Sequence, residues 1–210
     1  MYKGIVFDLD GTLVDSPLCF RTIRRELGIP EGEYILEHLE TLAPEPRLIP
    51  EALEDRVLMF GLINELAGEN GFTWNMRLRS MHRSLNDPAA TDFQRQLVPV
   101  LAAKYAYDAA LVDGARRQMV AIVERLRDQL LRQRAAARRY LIGDALSALD
   151  IYWATFAGCI DPLPEALCPN MLPEMRAAYT DAELKVVGGE GLFEHRDYIY
   201  RTWLKLPMDF

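Results

Sequence analysis

Two carboxylates stand two residues apart in Ile5-Val6-Phe7-Asp8-Leu9-Asp10-Gly11-Thr12, behind an apolar run and ahead of a glycine turn. Strand residues two apart point the same way, so Asp8 and Asp10 can serve one site. One such carboxylate can attack phosphorus while the other passes a proton to the leaving oxygen. A Mg²⁺ ion beside them would offset the clustered charge. A second acidic stretch, Tyr140-Leu141-Ile142-Gly143-Asp144-Ala145-Leu146-Ser147-Ala148-Leu149-Asp150, can be read in two ways. As a metal site it would complete the first pair, but five residues separate Asp144 from Asp150. As a helix start it has Ser147 three residues before Asp150, an acidic variant of the capping box, with Leu146 and Ile151 placed as a hydrophobic staple. The second reading is the better supported, and it gives Ser147 and Asp150 structural capping roles. His38 and His82 fall on helix candidates without partners at ligand spacing, and His195 beside Arg196 and Asp197 reads as part of a surface ion pair. Neither a zinc pattern nor a phosphate-binding glycine loop is found.

The elements that must carry these residues change character along the chain. Gly4 to Phe7 suits a short strand buried on both faces. Asp15-Ser16-Pro17 then offers a cap with proline at the first helical position, and a second short helix is expected over 31–42. Pro44, Pro46 and Pro50 mark a connector. Beyond Glu51 the spacing is persistently helical. Leu53, Val57, Phe60 and Asn64 sit at helical spacing before Gly68 and Gly71, and a helix is expected from Phe72 to Leu85. Another is capped by Thr91 and Asp92, with Pro99 implying a kink or break. The longest runs from about Asp113 to Ala137, with Met119, Ile122, Val123, Leu126 and Leu130 as its apolar stripe. Further helices are expected at 148–160, 172–179 and 191–203. The one other stretch able to extend is 185–187.

A length of 210 residues, half of them hydrophobic, allows one large domain or two small ones with a sizeable core. The formal charge of -7 argues against nucleic acid and anionic membranes as partners. Arg132, Arg134, Arg138 and Arg139 cluster, but without interleaved aromatics they read as a solvated helix end. Cys19, Cys159 and Cys168 are odd in number and read as reduced thiols, which points to the cytoplasm. No secretory signal or membrane-spanning run is visible.

Residues 1–42 resemble the N-terminus of a haloacid dehalogenase-type phosphatase, on the strand and the Asp8-Leu9-Asp10-Gly11-Thr12 motif. The resemblance implies Asp8 as nucleophile and Mg²⁺ ligand. It implies Asp10 as general acid/base, with its carbonyl also on the metal. That family also needs a later hydroxyl, a lysine and an acidic pair on further parallel strands. None of the four lysines, Lys3, Lys104, Lys185 and Lys205, follows a convincing strand.

Residues 43–210 resemble the C-terminal helical domain of a bacterial glutathione transferase. The likeness rests on Leu42-Ala43-Pro44-Glu45-Pro46 through Gly68-Glu69-Asn70-Gly71-Phe72-Thr73-Trp74, on Ser147 with Asp150-Ile151-Tyr152-Trp153-Ala154, and on His195-Arg196-Asp197 with Leu206-Pro207-Met208-Asp209-Phe210. It implies a helical wall lining an apolar substrate pocket, with Trp74, Arg77 and Tyr105 as candidate lining residues. The thioredoxin-like domain that activates glutathione in that family is not found in residues 1–42.

The expected fold is therefore mainly α: a helical bundle of glutathione transferase C-terminal type behind a short strand-loop-helix segment. Three functions stay open. The chain is a binding or interaction module without turnover, or a Mg²⁺-dependent phosphatase using Asp8 and Asp10, or a recombined hybrid with no evolved function. A small apolar ligand and a homodimer are the partners that the first reading leaves open.

Overall fold

The computed structural model describes residues 45–208 apart from Ala106. The expected strand at Gly4 to Phe7 and the helices before residue 43 lie outside the described residues. Within them the chain is mainly helical and contains no strand. The α-helices are α1 (Leu53–Ala67), α2 (Phe72–Leu85), α3 (Asp92–Lys104), α4 (Val112–Ala135), α5 (Ala148–Phe156), α6 (Pro173–Ala178) and α7 (Ala182–Trp203). Short 3-10 turns stand at Ala109–Leu111, Ala157–Cys159 and Glu165–Leu167.

The spine is α4. Its stripe of Met119, Ile122, Val123, Leu126 and Leu130 is buried, because residues at i, i+3, i+4 and i+7 share one face of a helix. Helices α2 and α7 both pack on α4, α5 packs on α7 and α1, and α3 packs chiefly on α2. Trp153 is fully buried in α5. Its indole N–H donates to the Leu192 carbonyl of α7 at 2.9 Å, and its ring meets Phe193 edge-on at 5.8 Å. The arginines at the far end of α4 are exposed, where they favour the negative end of the helix.

Helix α1 forms where the spacing predicts, but on a different face. Leu53 and Val57 are exposed, while Met59, Leu62, Ile63 and Leu66 are buried. The helix carries two apolar stripes, and contact with α2, α4 and α5 selects the longer one. Helix α3 begins with a capping box: the Gln94 N–H donates to Thr91 Oγ1 at 3.2 Å and the Thr91 N–H to Gln94 Oε1 at 2.9 Å. It continues through Pro99 to Lys104.

Residues 185–187, which the sequence left able to extend, are helical. Asp181 caps α7 by accepting from the Leu184 N–H at 3.0 Å. It also holds Arg116 of α4 through two bonds of 2.5 and 3.1 Å. This anchor on α4 and the burial of Leu184 outweigh the weak β preference of Val186 and Val187. The helix then bends at Gly189, whose φ of 69° and ψ of 162° belong to a region open essentially to glycine alone. At the bend Arg127 of α4 donates to the Val187 carbonyl at 2.8 Å. Gly188 lies so close to α4 that a Cβ there would stand 3.3 Å from Val123 Cγ1 and 2.9 Å from Phe193 Cε2.

Gly189→Ala should destabilise the fold by about 1–3 kcal/mol. Gly191→Ala, in the same helix with nothing within 4 Å of the new methyl, should be neutral or slightly stabilising. Urea unfolding of both variants checks the opposite signs.

Burial opposes the charge of Asp181, but the Arg116 hydrogen bond and the Leu184 N–H outweigh it and hold the carboxyl below its ordinary value of 3.8. A group depressed in the folded state stabilises above its unfolded pKa and loses that contribution as pH falls through its folded value. The stability gap between wild type and Asp181→Asn should therefore be full above about pH 4 and close below it, as followed by unfolding titrations across that range.

Candidate functional site

Helix α2 carries the first group of candidate residues. Trp74 and Arg77 lie about one turn apart, and the Tyr105 ring at the end of α3 packs against both. The rings of Trp74 and Tyr105 meet edge-on at 6.2 Å, and the Arg77 guanidinium carbon sits 4.4 Å from the Tyr105 centroid. Lys104 approaches the same ring at 5.6 Å. The structure thus gathers Trp74, Arg77 and Tyr105, which are 31 positions apart at the extremes, into one half-buried cluster. Burial holds the Arg77 guanidinium below its ordinary range, opposed by Tyr105, Tyr179 and Cys159. Burial also pushes the Cys159 thiol up to about 12, so it is not a ready thiolate. Cys159 and Cys168 are both free of disulfides.

Trp74 also borders an open cavity of about 470 Å³ between α2 and α4. Asn70, Asn75 and Leu78 complete the α2 side. Leu111, Gly114, Ala115, Arg117, Gln118 and Ala121 form the α4 side. The cavity is open because small residues stand where α4 faces the indole. Its floor is braced at the α1–α2 corner, where the Asn75 side chain donates to the Asn70 and Gly71 carbonyls at 2.6 and 2.9 Å. The corner needs glycine at Gly71, since a Cβ there would stand 2.6 Å from the Glu65 carbonyl. One turn beyond Leu78, His82 Nδ1 meets the Tyr107 hydroxyl at 2.6 Å.

Sequence reasoning did not find the α4 side of the cavity. The available signal was Gly114 inside the start of a long helix, three residues before an arginine and next to Ala115.

The second group is a buried polar junction. Ser147 and Asp150 close a capping box at the start of α5. The Asp150 carboxylate accepts from the Ser147 N–H at 2.8 Å and the Ser147 hydroxyl at 2.6 Å on one oxygen. On the other oxygen it accepts from the Leu141 N–H at 2.8 Å and meets His195 Nε2 at 2.8 Å. Leu146 and Ile151 are buried in one apolar cluster beside it. The expectation of a surface ion pair at His195 is corrected: Asp150 and His195 are both 0% exposed. The reason is tertiary. His195 faces α5 from across the α7 bend, and Arg196 turns instead to Asp161 and Asp197. The Leu141 carbonyl is held from α4 by Gln129 and Gln133 at 2.9 and 3.1 Å.

Asp8 and Asp10 lie outside the described residues. Among the described residues no group of three His, Cys, Asp or Glu side chains could hold a metal ion, and no helix is long and apolar enough to cross a membrane. Comparisons with protein-family models, with curated proteins and with solved structures find no match for the chain.

Ser147→Ala should cost roughly 0.5–2 kcal/mol, the usual range for a lost cap. Asp150→Ala should cost more, about 3–5 kcal/mol, because it leaves several buried donors unpaired. Both losses should be the same with and without Mg²⁺ in urea unfolding. Equal losses for the two variants would show that the carboxylate is not the centre of the junction.

Proposed function

We propose that this chain is a small-ligand binding module whose helical wall is of glutathione transferase C-terminal type and which works without turnover. The observation that carries the reading is the α2–α4 cavity with Trp74 at its edge, backed by Tyr105 and Arg77. Its volume of about 470 Å³ falls within the usual range for small-molecule sites. A tryptophan held by a neighbouring ring offers an ordered flat surface for an aromatic or apolar ligand. Among the described residues the polar groups of the lining are Asn70, Asn75, Arg117 and Gln118, donors and acceptors suited to orienting a bound ligand. Bundles of this kind place ligand sites between facing helices, and the α2–α4 contact is such a place.

The phosphatase reading rests on Asp8 and Asp10 alone. Two carboxylates supply a nucleophile and a proton relay, but the charge that develops on the phosphoryl oxygens needs further fixed donors and a fully held metal.

The full-length chain should bind a neutral aromatic compound such as naphthalene-2-carboxamide in a calorimetric titration. Trp74→Ala should weaken that binding by about tenfold or more. Parallel assays with 4-nitrophenyl phosphate and Mg²⁺, and with glutathione and a chromogenic electrophile, should give no turnover. Metal-dependent hydrolysis abolished by Asp8→Asn would replace this reading with the phosphatase. Glutathione conjugation would replace it with a transferase. No binding of any aromatic would leave a chain without an evolved ligand.

A further inference from the structure

Arg116 and Arg117 are neighbours on α4, yet their surroundings differ completely. Arg116 is saturated by Asp181 and by Glu183 at 2.7 Å. Arg117 is exposed, and no carboxylate among the described residues pairs with it. Its guanidinium is nonetheless placed: Nη2 lies 4.0 Å from where a Cβ on Gly114 would stand. Long helical side chains lean over the turn that precedes them, and here that turn is the one opening the cavity. The missing Gly114 side chain leaves room beside the guanidinium.

The rest of the lining is mixed: Asn70, Asn75 and Gln118 are polar, while Trp74, Leu78 and Leu111 are apolar. Leu78 is buried, and Leu111 is 56% exposed at the cavity's edge. A large aliphatic side chain open to water and an exposed cation in one lining give the cavity an apolar and a cationic part. Gln118, the other long polar side chain of the α4 side, donates its amide to Glu65 at 3.4 Å. A negatively charged group would therefore be directed to the Arg117–Gly114 side, away from Gln118.

We propose that the α2–α4 cavity takes an aromatic carboxylate, with its ring on Trp74 and Leu111 and its carboxylate on Arg117. This rests on the binding reading above and names its ligand class. The pairing is the one a guanidinium is shaped for, since its N–H groups match both oxygens of a carboxylate. Arg117 stands in solvent, so the preference should weaken as salt screens it.

The test compares naphthalene-2-carboxylate with its neutral counterpart, naphthalene-2-carboxamide, by calorimetry at low ionic strength on the full chain. The indole N–H resonance of Trp74, assigned with Trp74→Phe, locates the binding. The carboxylate should bind about tenfold more tightly than the carboxamide. Arg117→Gln should bring the two to within about twofold by weakening the carboxylate alone. Arg77→Gln should leave the preference in place. Equal binding of the two compounds to wild type would overturn the carboxylate assignment and leave the binding module standing. So would a preference removed by Arg77→Gln and kept in Arg117→Gln. Binding of neither compound by a chain with unchanged circular dichroism would overturn both.

Discussion

A carboxylate removed from water must find donors for every lone pair, or the fold that buries it is not stable. Asp150 meets that condition with the Ser147 N–H and hydroxyl on one oxygen and with the Leu141 N–H and His195 on the other. Each donor belongs to a different part of the chain's path. Ser147 is the start of α5, Leu141 is in the loop leaving α4, and His195 is on α7. The same loop residue offers its carbonyl to Gln129 and Gln133 of α4. One side chain thereby fixes where α5 begins and how the preceding loop runs. It also fixes which face of α7 turns inward. A Ser-to-Asp capping box ordinarily serves one helix end; here its carboxylate also holds α7 and the loop leaving α4.

With that junction fixed, α4 can hold partners on both flanks. Helix α7 crosses it closely because Gly188 has no side chain to meet Val123, and it can bend there because Gly189 accepts a conformation closed to other residues. Arg127 then takes the Val187 carbonyl at the bend. At the other end of α4, the Arg116–Asp181 pair ties the first turn of α7 to the spine. The bend and the anchor together set the face that presents Leu192, Phe193 and His195 to α5.

The cavity follows from what α4 lacks at its start. Gly114, Ala115 and Ala121 are small, and α2 brings Trp74 opposite them. Close packing would be expected of a helix pair with matched large residues; a tryptophan facing glycine and alanine leaves space instead. The Asn75 side chain keeps the α1–α2 corner rigid beneath it, and the Tyr105 ring steadies the indole from behind. The cavity is a property of two helices and one loop, not of a sequence motif.

The sequence by itself determined the local events. Phe72 to Leu85 was legible as a helix to the residue, and α4 nearly so, because a periodic apolar stripe bounded by glycine or polar residues needs no information from elsewhere. The capping pattern at Ser147 and Asp150 was legible for the same reason: its residues are three apart. The tertiary structure decided everything that depends on distant partners. It chose which stripe of α1 is buried, and it made 185–187 helical through an aspartate whose arginine lies 65 positions away. It buried His195, which looked like a surface residue because its inward partner stands 45 positions earlier. It placed Arg117 and Gly114 across from Trp74, a juxtaposition absent from any local pattern, since helix spacing says which residues share a face but not what that face will meet.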